Sequence, residues 1–190
     1  MKKIPFVSMF SQSAMGLSIC GNDLIITVVC KKLVKYSHET FKIKDFMLKD
    51  VQQLKHALLQ RGNFVGEIIL SLPRELSIVR EIDYPHSNLK ELREALTYQL
   101  DSFIPFRNEE VYFDIHSLSY NRQDAKVLIV AMKKMELDTL LSRLQAIDII
   151  PSRVIISPFA FLPILDEKKG PVVLICRNAR YYNYNLFENN

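Results

Sequence analysis

The side chains that could do chemistry in this chain are few, and their spacing is poor for it. Glu109, Glu110 and Asp114 place three carboxylates in a short run, the raw material of a general acid–base pair. Such a pair needs environments that push its two pKa values apart. The run Asn108-Glu109-Glu110-Val111-Tyr112 reads instead as a turn entering an exposed strand. Serine, histidine and aspartate occur, but no Gly-x-Ser-x-Gly nucleophile motif does. His38, His56, His86 and His116 have no metal-ligand spacing, and no Cys-x-x-Cys pair exists. The three cysteines, Cys20, Cys30 and Cys176, lie in apolar runs and read as buried, reduced thiols of a cytosolic, disulfide-free domain. Tyr181-Tyr182-Asn183-Tyr184 reads as a strand with one aromatic face, which packs more readily than it stacks on bases.

The elements that would carry these residues are those of an ordinary globular chain. Its 190 residues suffice for one sizeable domain, or one domain with a small insertion. Apolar residues make up 48% and charged residues 24%. The net charge of +4 is mild and scattered, with no basic stripe, so nucleic acid is not expected as a partner. No apolar run is long enough to cross a bilayer, so membrane attachment would come through partners or through sequence absent here. Met1-Lys2-Lys3 followed by Ile4 to Phe10 imitates a weak signal peptide, but its apolar part is short and contains Pro5 and Ser8. The expected location is therefore the cytoplasm.

Periodicity predicts the elements. Leu17 to Cys20 and Leu24 to Cys30 read as strands joined by a Gly21-Asn22-Asp23 turn, and Tyr36 to Ile43 as a third strand. From Asp45 a helical period carries Met47, Leu48, Val51, Leu54 and Leu58, stopping at Gly62. Ile68 to Leu72 is a continuous apolar run, as for a strand buried on both faces. Leu76 to Ile82 reads as a strand. The capping box Asn88-x-x-Glu91 then opens a helix striped by Leu89, Leu92, Leu96, Leu100 and Phe103, and Pro105 ends it. Val111 to Phe113 and Val127 to Val130 are strands. Met135, Leu137, Leu140, Leu141, Leu144 and Ile147 mark a third helix, and Val154 to Ile156 a strand before a short helix from Pro158 to Leu165. Taken alone, the central strand–helix–strand–strand order also fits a ferredoxin-like unit in a generic α+β domain. Leu174-Ile175-Cys176-Arg177-Asn178 echoes Leu17-Ser18-Ile19-Cys20-Gly21-Asn22, which two similar buried strands could also do by chance.

Three patches, in order, resemble the actin-like proteins that organise type II secretion and type IV pilus machines. They are Gly16 to Asn22, Leu72-Pro73 through Ile104-Pro105-Phe106 to Asp114, and Ile156-Ser157-Pro158-Phe159-Ala160. The resemblance implies an α/β fold: an actin-like, ribonuclease H-like half with an inserted α+β subdomain, truncated before most of the second half. On that basis residues 1–73 and 152–170 form the first-half subdomain, 74–151 the insertion, and 171–190 the opening hairpin of an incomplete second half.

The resemblance also locates two phosphate loops. Such loops need glycines for close backbone approach and an aspartate to orient the metal. In the first loop the aspartate position falls on Ser18 and the following glycine on Cys20, leaving Gly21 and Asn22 hospitable. In the second, the same positions fall on Leu174 and Cys176, followed by Arg177 and Arg180. Charge without a backbone cradle makes a poor ATP site, so those arginines read as a solvated turn. The resemblance thus implies a non-catalytic scaffold without a cofactor, cytoplasmic and peripheral at the inner membrane. In the pilus branch the groove between main and inserted subdomains receives the cytoplasmic tail of a membrane partner. In the secretion branch the cytoplasmic domain docks the assembly ATPase. The partners implied are that ATPase and a bitopic inner-membrane platform protein, with a homodimer possible. The other reading is an actin-like ATPase or sugar-kinase-like enzyme whose second half is missing from this chain.

Overall fold

The alternation of Met15, Leu17 and Ile19 with Gly16, Ser18 and Cys20 puts one apolar face on a long first strand, and the whole sheet is organised around it. In the computed structural model, which describes residues 11–32, 34–59, 66–85, 89–120, 125–165, 170–177 and 182–187, this strand β1 spans Ser11–Cys20. It turns through Gly21, whose φ of 62° lies in the region glycine adopts without strain. Strand β2 (Asp23–Lys32) returns antiparallel with Leu17 opposite Ile26, and β3 (Lys35–Ile43) continues the meander. The turn and all three strands agree with the sequence reading. Strands β4 (Glu67–Leu72) and β8 (Arg153–Ile156) add in parallel, for the order β3-β2-β1-β4-β8.

The first helix, α1, spans Val51–Leu59 and starts later than the period from Asp45 predicts. The reason is a tether to the β1–β2 turn. The Asp45 N–H donates to Asp23 Oδ1 at 2.8 Å and the Met47 N–H to the Asn22 carbonyl at 3.2 Å, with Asp45 held at φ 53°. Asp50 then caps the helix, accepting from the Gln53 N–H at 3.0 Å. This shift exposes Leu48 and buries Phe46 completely. Strand β4 is also less enclosed than expected: Leu70 and Leu72 are buried, while Ile69 and Ser71 on the other face are half-buried. The cysteines differ too. All three are half-buried rather than core, and they form no disulfide.

The insertion is a second sheet, β5 (Ile78–Tyr84), β7 (Ala125–Lys133) and β6 (Val111–Tyr120), antiparallel with β7 in the middle. Helix α2 (Leu89–Gln99) covers one face. Leu92, Leu96 and Leu100 are fully buried with Val127 and Ile129, which confirms the leucine stripe. Helix α2 stops at Gln99, short of the Pro105 end that the sequence suggests, and a 3-10 turn over Leu100–Ser102 leads the chain out; the Asn108 side-chain amide donates to the Thr97 carbonyl of the last helical turn at 2.8 Å. Asn88 and Gly62 lie outside the described residues.

Strand β7 serves two cores. Val127, Ile129 and Ala131 face α2, whereas Val130 and Met132 pack with the main sheet. Helix α3 (Lys134–Gln145) follows and adds Leu137, Leu140 and Leu144 to that main core. Met135, expected on its apolar stripe, is exposed. After β8 a 3-10 turn (Ser157–Phe161) leads to the short helix α4 (Leu162–Leu165). Strands β9 (Val172–Arg177) and β10 (Tyr182–Phe187) form a separate two-stranded ribbon.

Candidate functional site

Two places could carry a site: the turn to which the family resemblance assigns a phosphate loop, and the cleft where the two sheets meet. At the turn, Ser18 sits half-buried in β1 between Ile25 of β2 and Ser71 of β4. Cys20 ends the strand opposite Asp23, and Gly21 and Asn22 are exposed. Asp23 is the one carboxylate of this turn, and it is already engaged. Lys42 Nζ lies 2.5 Å from its Oδ2, and the Asp45 N–H binds its other oxygen. Lys42 and then the Asp45 N–H hold the Asp23 carboxyl below its usual range, and Asp23 in turn raises Lys42.

The second set of positions is on the ribbon. Leu174 pairs with Asn185 and Cys176 with Asn183, and both are half-buried. Burial pushes the Cys176 thiol up, away from thiolate character. Arg180 lies outside the described residues. Ser18, Cys20, Gly21 and Asn22 thus share one hairpin, while Leu174 and Cys176 belong to a different sheet.

The carboxylates Glu109, Glu110 and Asp114 are not brought together. Glu110 Oε2 accepts from the Arg107 N–H at 3.2 Å, and Asp114 pairs with Arg93 at 2.9 Å. Among the described residues no group of three His, Cys, Asp or Glu side chains could hold a metal ion, and no helix is long and apolar enough to cross a membrane.

The cleft is built from the back of the inserted sheet and the rim of the main one. A cavity of about 310 Å³ is lined by Tyr112, Asp114 and His116 of β6, Val154 and Ile155 of β8, and Phe159. Both β6 and β8 are outer strands of their sheets, so each borders the cleft with one edge unclaimed by its own sheet. The Tyr112 hydroxyl donates to Asp138 Oδ1 of α3 at 3.1 Å, which raises the phenol pKa and ties the inserted sheet to the main core. A second cavity of about 490 Å³ shares Phe159 and is lined by Arg74, Glu81, Lys126, Asn185 and Phe187. There Lys126 and Glu81 form an ion pair at 2.8 Å, and Arg74 Nη1 donates to the Ser77 carbonyl at 2.7 Å. Burial lowers the Arg74 pKa, against the opposing pull of Glu75. Apolar side chains make up most of the smaller cavity's lining, with Tyr112, Asp114 and His116 of β6 as its polar groups. The cleft residues carry no local signal, because β6 and β8 meet only in the folded chain.

Among the solved structures that match nearly all of the chain are two from bacterial surface machines. One, a type IV pilus biogenesis complex of PilM and PilN, matches with a TM-score of 0.75 and 20% identity over 93% of this chain and 58% of that one. The other is the cytoplasmic domain of EpsL, an inner-membrane component of the type II secretion system of Vibrio cholerae. It matches with a TM-score of 0.57 and 17% identity over 94% of this chain and 71% of that one. The chain therefore has the actin-like α/β fold that these proteins share. It spans a little over half the length of the pilus chain it matches. No protein-family model and no curated protein matches the sequence.

Proposed function

We propose that this chain is a non-catalytic cytoplasmic scaffold of a type IV pilus or type II secretion machine, peripheral at the inner membrane. In this role it links the assembly ATPase to a bitopic platform protein. The observation that carries the proposal is the cleft: two outer strands, β6 and β8, flank an apolar cavity in an actin-like chain. An extended cytoplasmic tail of a membrane partner could lie there, using backbone hydrogen bonds for affinity and the cavity for specificity. The solved PilM structure is itself a complex with PilN, and EpsL is an inner-membrane component. Both descriptions are consistent with such a partner. A photo-crosslinking residue at Ile155, introduced in the native host, is expected to capture a bitopic inner-membrane protein through its cytoplasmic tail. The same group at Tyr98, 87% exposed on α2, should not. Equal capture at both positions, or none of such a protein at Ile155, would remove the cleft from this role.

The absence of catalysis is the second half of the proposal. It rests on Ser18 and Cys20 standing at the aspartate and glycine positions, and on Asp23 being paired with Lys42. The competing reading, an ATP-binding actin-like protein, is tested by melting the chain with millimolar Mg-ATP. Ligand at 100 times its dissociation constant would stabilise by about 2.7 kcal/mol. We expect no shift, and a clear one would overturn the scaffold-only reading.

A further inference from the structure

The outer end of the β2–β3 hairpin projects beyond the packed body. No described side chain from Val29 to Thr40 belongs to either core cluster, whereas Val28 and Phe41, one step inward on each strand, pack against the main one. The strands reverse between Lys32 and Lys35, which stand opposite each other in the register. Tight reversals in water favour Gly, Asn, Asp or Pro. Here Val34 holds the turn, and it is 89% exposed. Tyr36, two residues on, is 68% exposed and stands opposite Lys31, whose Nζ lies 5.4 Å from the ring centroid. Along the hairpin the charge around this apolar apex has one sign. Asp23 and Glu39 are the first two acidic residues of the sequence, and Lys31, Lys32 and Lys35 all fall between them.

Shape and charge together select the partner. Like charges set opposite each other disfavour strand pairing, and an anionic surface removes that penalty. An apolar apex with a tyrosine and lysines just behind it suits a planar surface of that kind. The valine enters the interface, the tyrosine ring sits at headgroup level, and the lysine stems leave their ammonium groups among the phosphates. A protein partner would need a concave acidic pocket shaped to the tip, and nucleic acid would leave the valine in water. We propose that the tip of the β2–β3 hairpin, through Val34, Tyr36, Lys31 and Lys35, is a contact site for the anionic lipid headgroups of a bilayer. Each lysine near such a surface strengthens binding about fivefold. The contact is therefore weak, reversible and auxiliary, as a single anchoring signal is. It goes beyond the scaffold reading, since it uses neither the cleft nor a protein partner.

The sequence contains no tryptophan, so Val34→Trp gives the full chain one reporter at the apex. With vesicles of phosphatidylglycerol and phosphatidylethanolamine its emission should shift to the blue and be quenched by brominated lipid. With phosphatidylcholine alone it should not move, and Tyr98→Trp on the exposed face of α2 should move with neither. Co-sedimentation of wild type with the anionic vesicles should be lost at high salt. Lys31→Glu and Lys35→Glu should each weaken it at least about fivefold. Circular dichroism checks that both variants fold, and Lys35→Gln, which removes the charge without reversing it, should weaken binding by a smaller factor. A wild type that does not sediment with anionic vesicles overturns the proposal. So does binding that survives both lysine reversals, which would put the contact elsewhere on the chain, or an unshifted Val34→Trp. None of these readouts depends on the crosslink at Ile155, so either reading can fail without the other.

Discussion

Leu96→Asp is expected to destabilise the inserted subdomain by about 4 kcal/mol or more. Leu96 is fully buried between Leu92 and Leu100, beneath Val127 and Ile129 of the central strand. Removing the isobutyl group alone costs about 2–5 kcal/mol in a well-packed core. Aspartate adds the desolvation of a carboxyl with no hydrogen-bond partner among aliphatic neighbours, and that site would force it to protonate. A domain of this size holds a net stability of about 5–15 kcal/mol, so the loss is a large fraction of the whole. The two cores share no buried member. Hydrogen exchange should therefore rise first in α2, β5 and β6 while β1 and β4 stay protected. Tyr98→Asp, on the exposed face of the same helix, should stay within about 0.5 kcal/mol of wild type. Urea denaturation of both variants checks the contrast, and an unchanged midpoint for Leu96→Asp would show that this face is not core.

Arg143→Ala is expected to cost about 2 kcal/mol. Arg143 leaves α3 and donates from Nε to the Phe46 carbonyl at 2.7 Å, while its Nη2 reaches the Lys49 carbonyl. The guanidinium also lies over the Phe46 ring, 5.3 Å from its centroid. One side chain therefore fastens α3 to the turn that precedes α1. Removing it leaves two part-buried carbonyls without their charged donor. Arg143→Lys should recover only part of the loss, because an ammonium lacks the planar fork that serves two acceptors. Urea unfolding measures the total. Faster exchange at the amides of 45–49 would place the effect at that turn, and a variant as stable as wild type would mean the tether contributes nothing.

How far the sequence reads through to the structure depends on the range of the interactions involved. The hairpin at Gly21, the leucine stripe of α2 and the β1–β2–β3 meander were all legible, because periods of 2 and 3.6 residues and a turn glycine are local signals. The start of α1 was not. Its delay comes from Asp23 binding the Asp45 N–H across 22 residues, and no helical period records that bond. Met135 and Leu48 fit a stripe yet face solvent, because a stripe shows which side chains share a face and not how much of that face is covered.

Local pattern alone was enough to give the order of elements, the resemblance to actin-like proteins, and the residue types at the positions that this resemblance assigns to phosphate loops. Those rest on neighbours a few residues apart. Folding is what packs α3 on the main sheet, carries Arg143 back 97 residues to Phe46, gives Glu110 and Asp114 different partners, and sets β6 and β8 along one cleft. Each of these depends on which surfaces meet after folding. That choice is set by burial of complementary faces and by hydrogen bonds between distant segments, and a linear pattern does not encode either until the chain closes on itself.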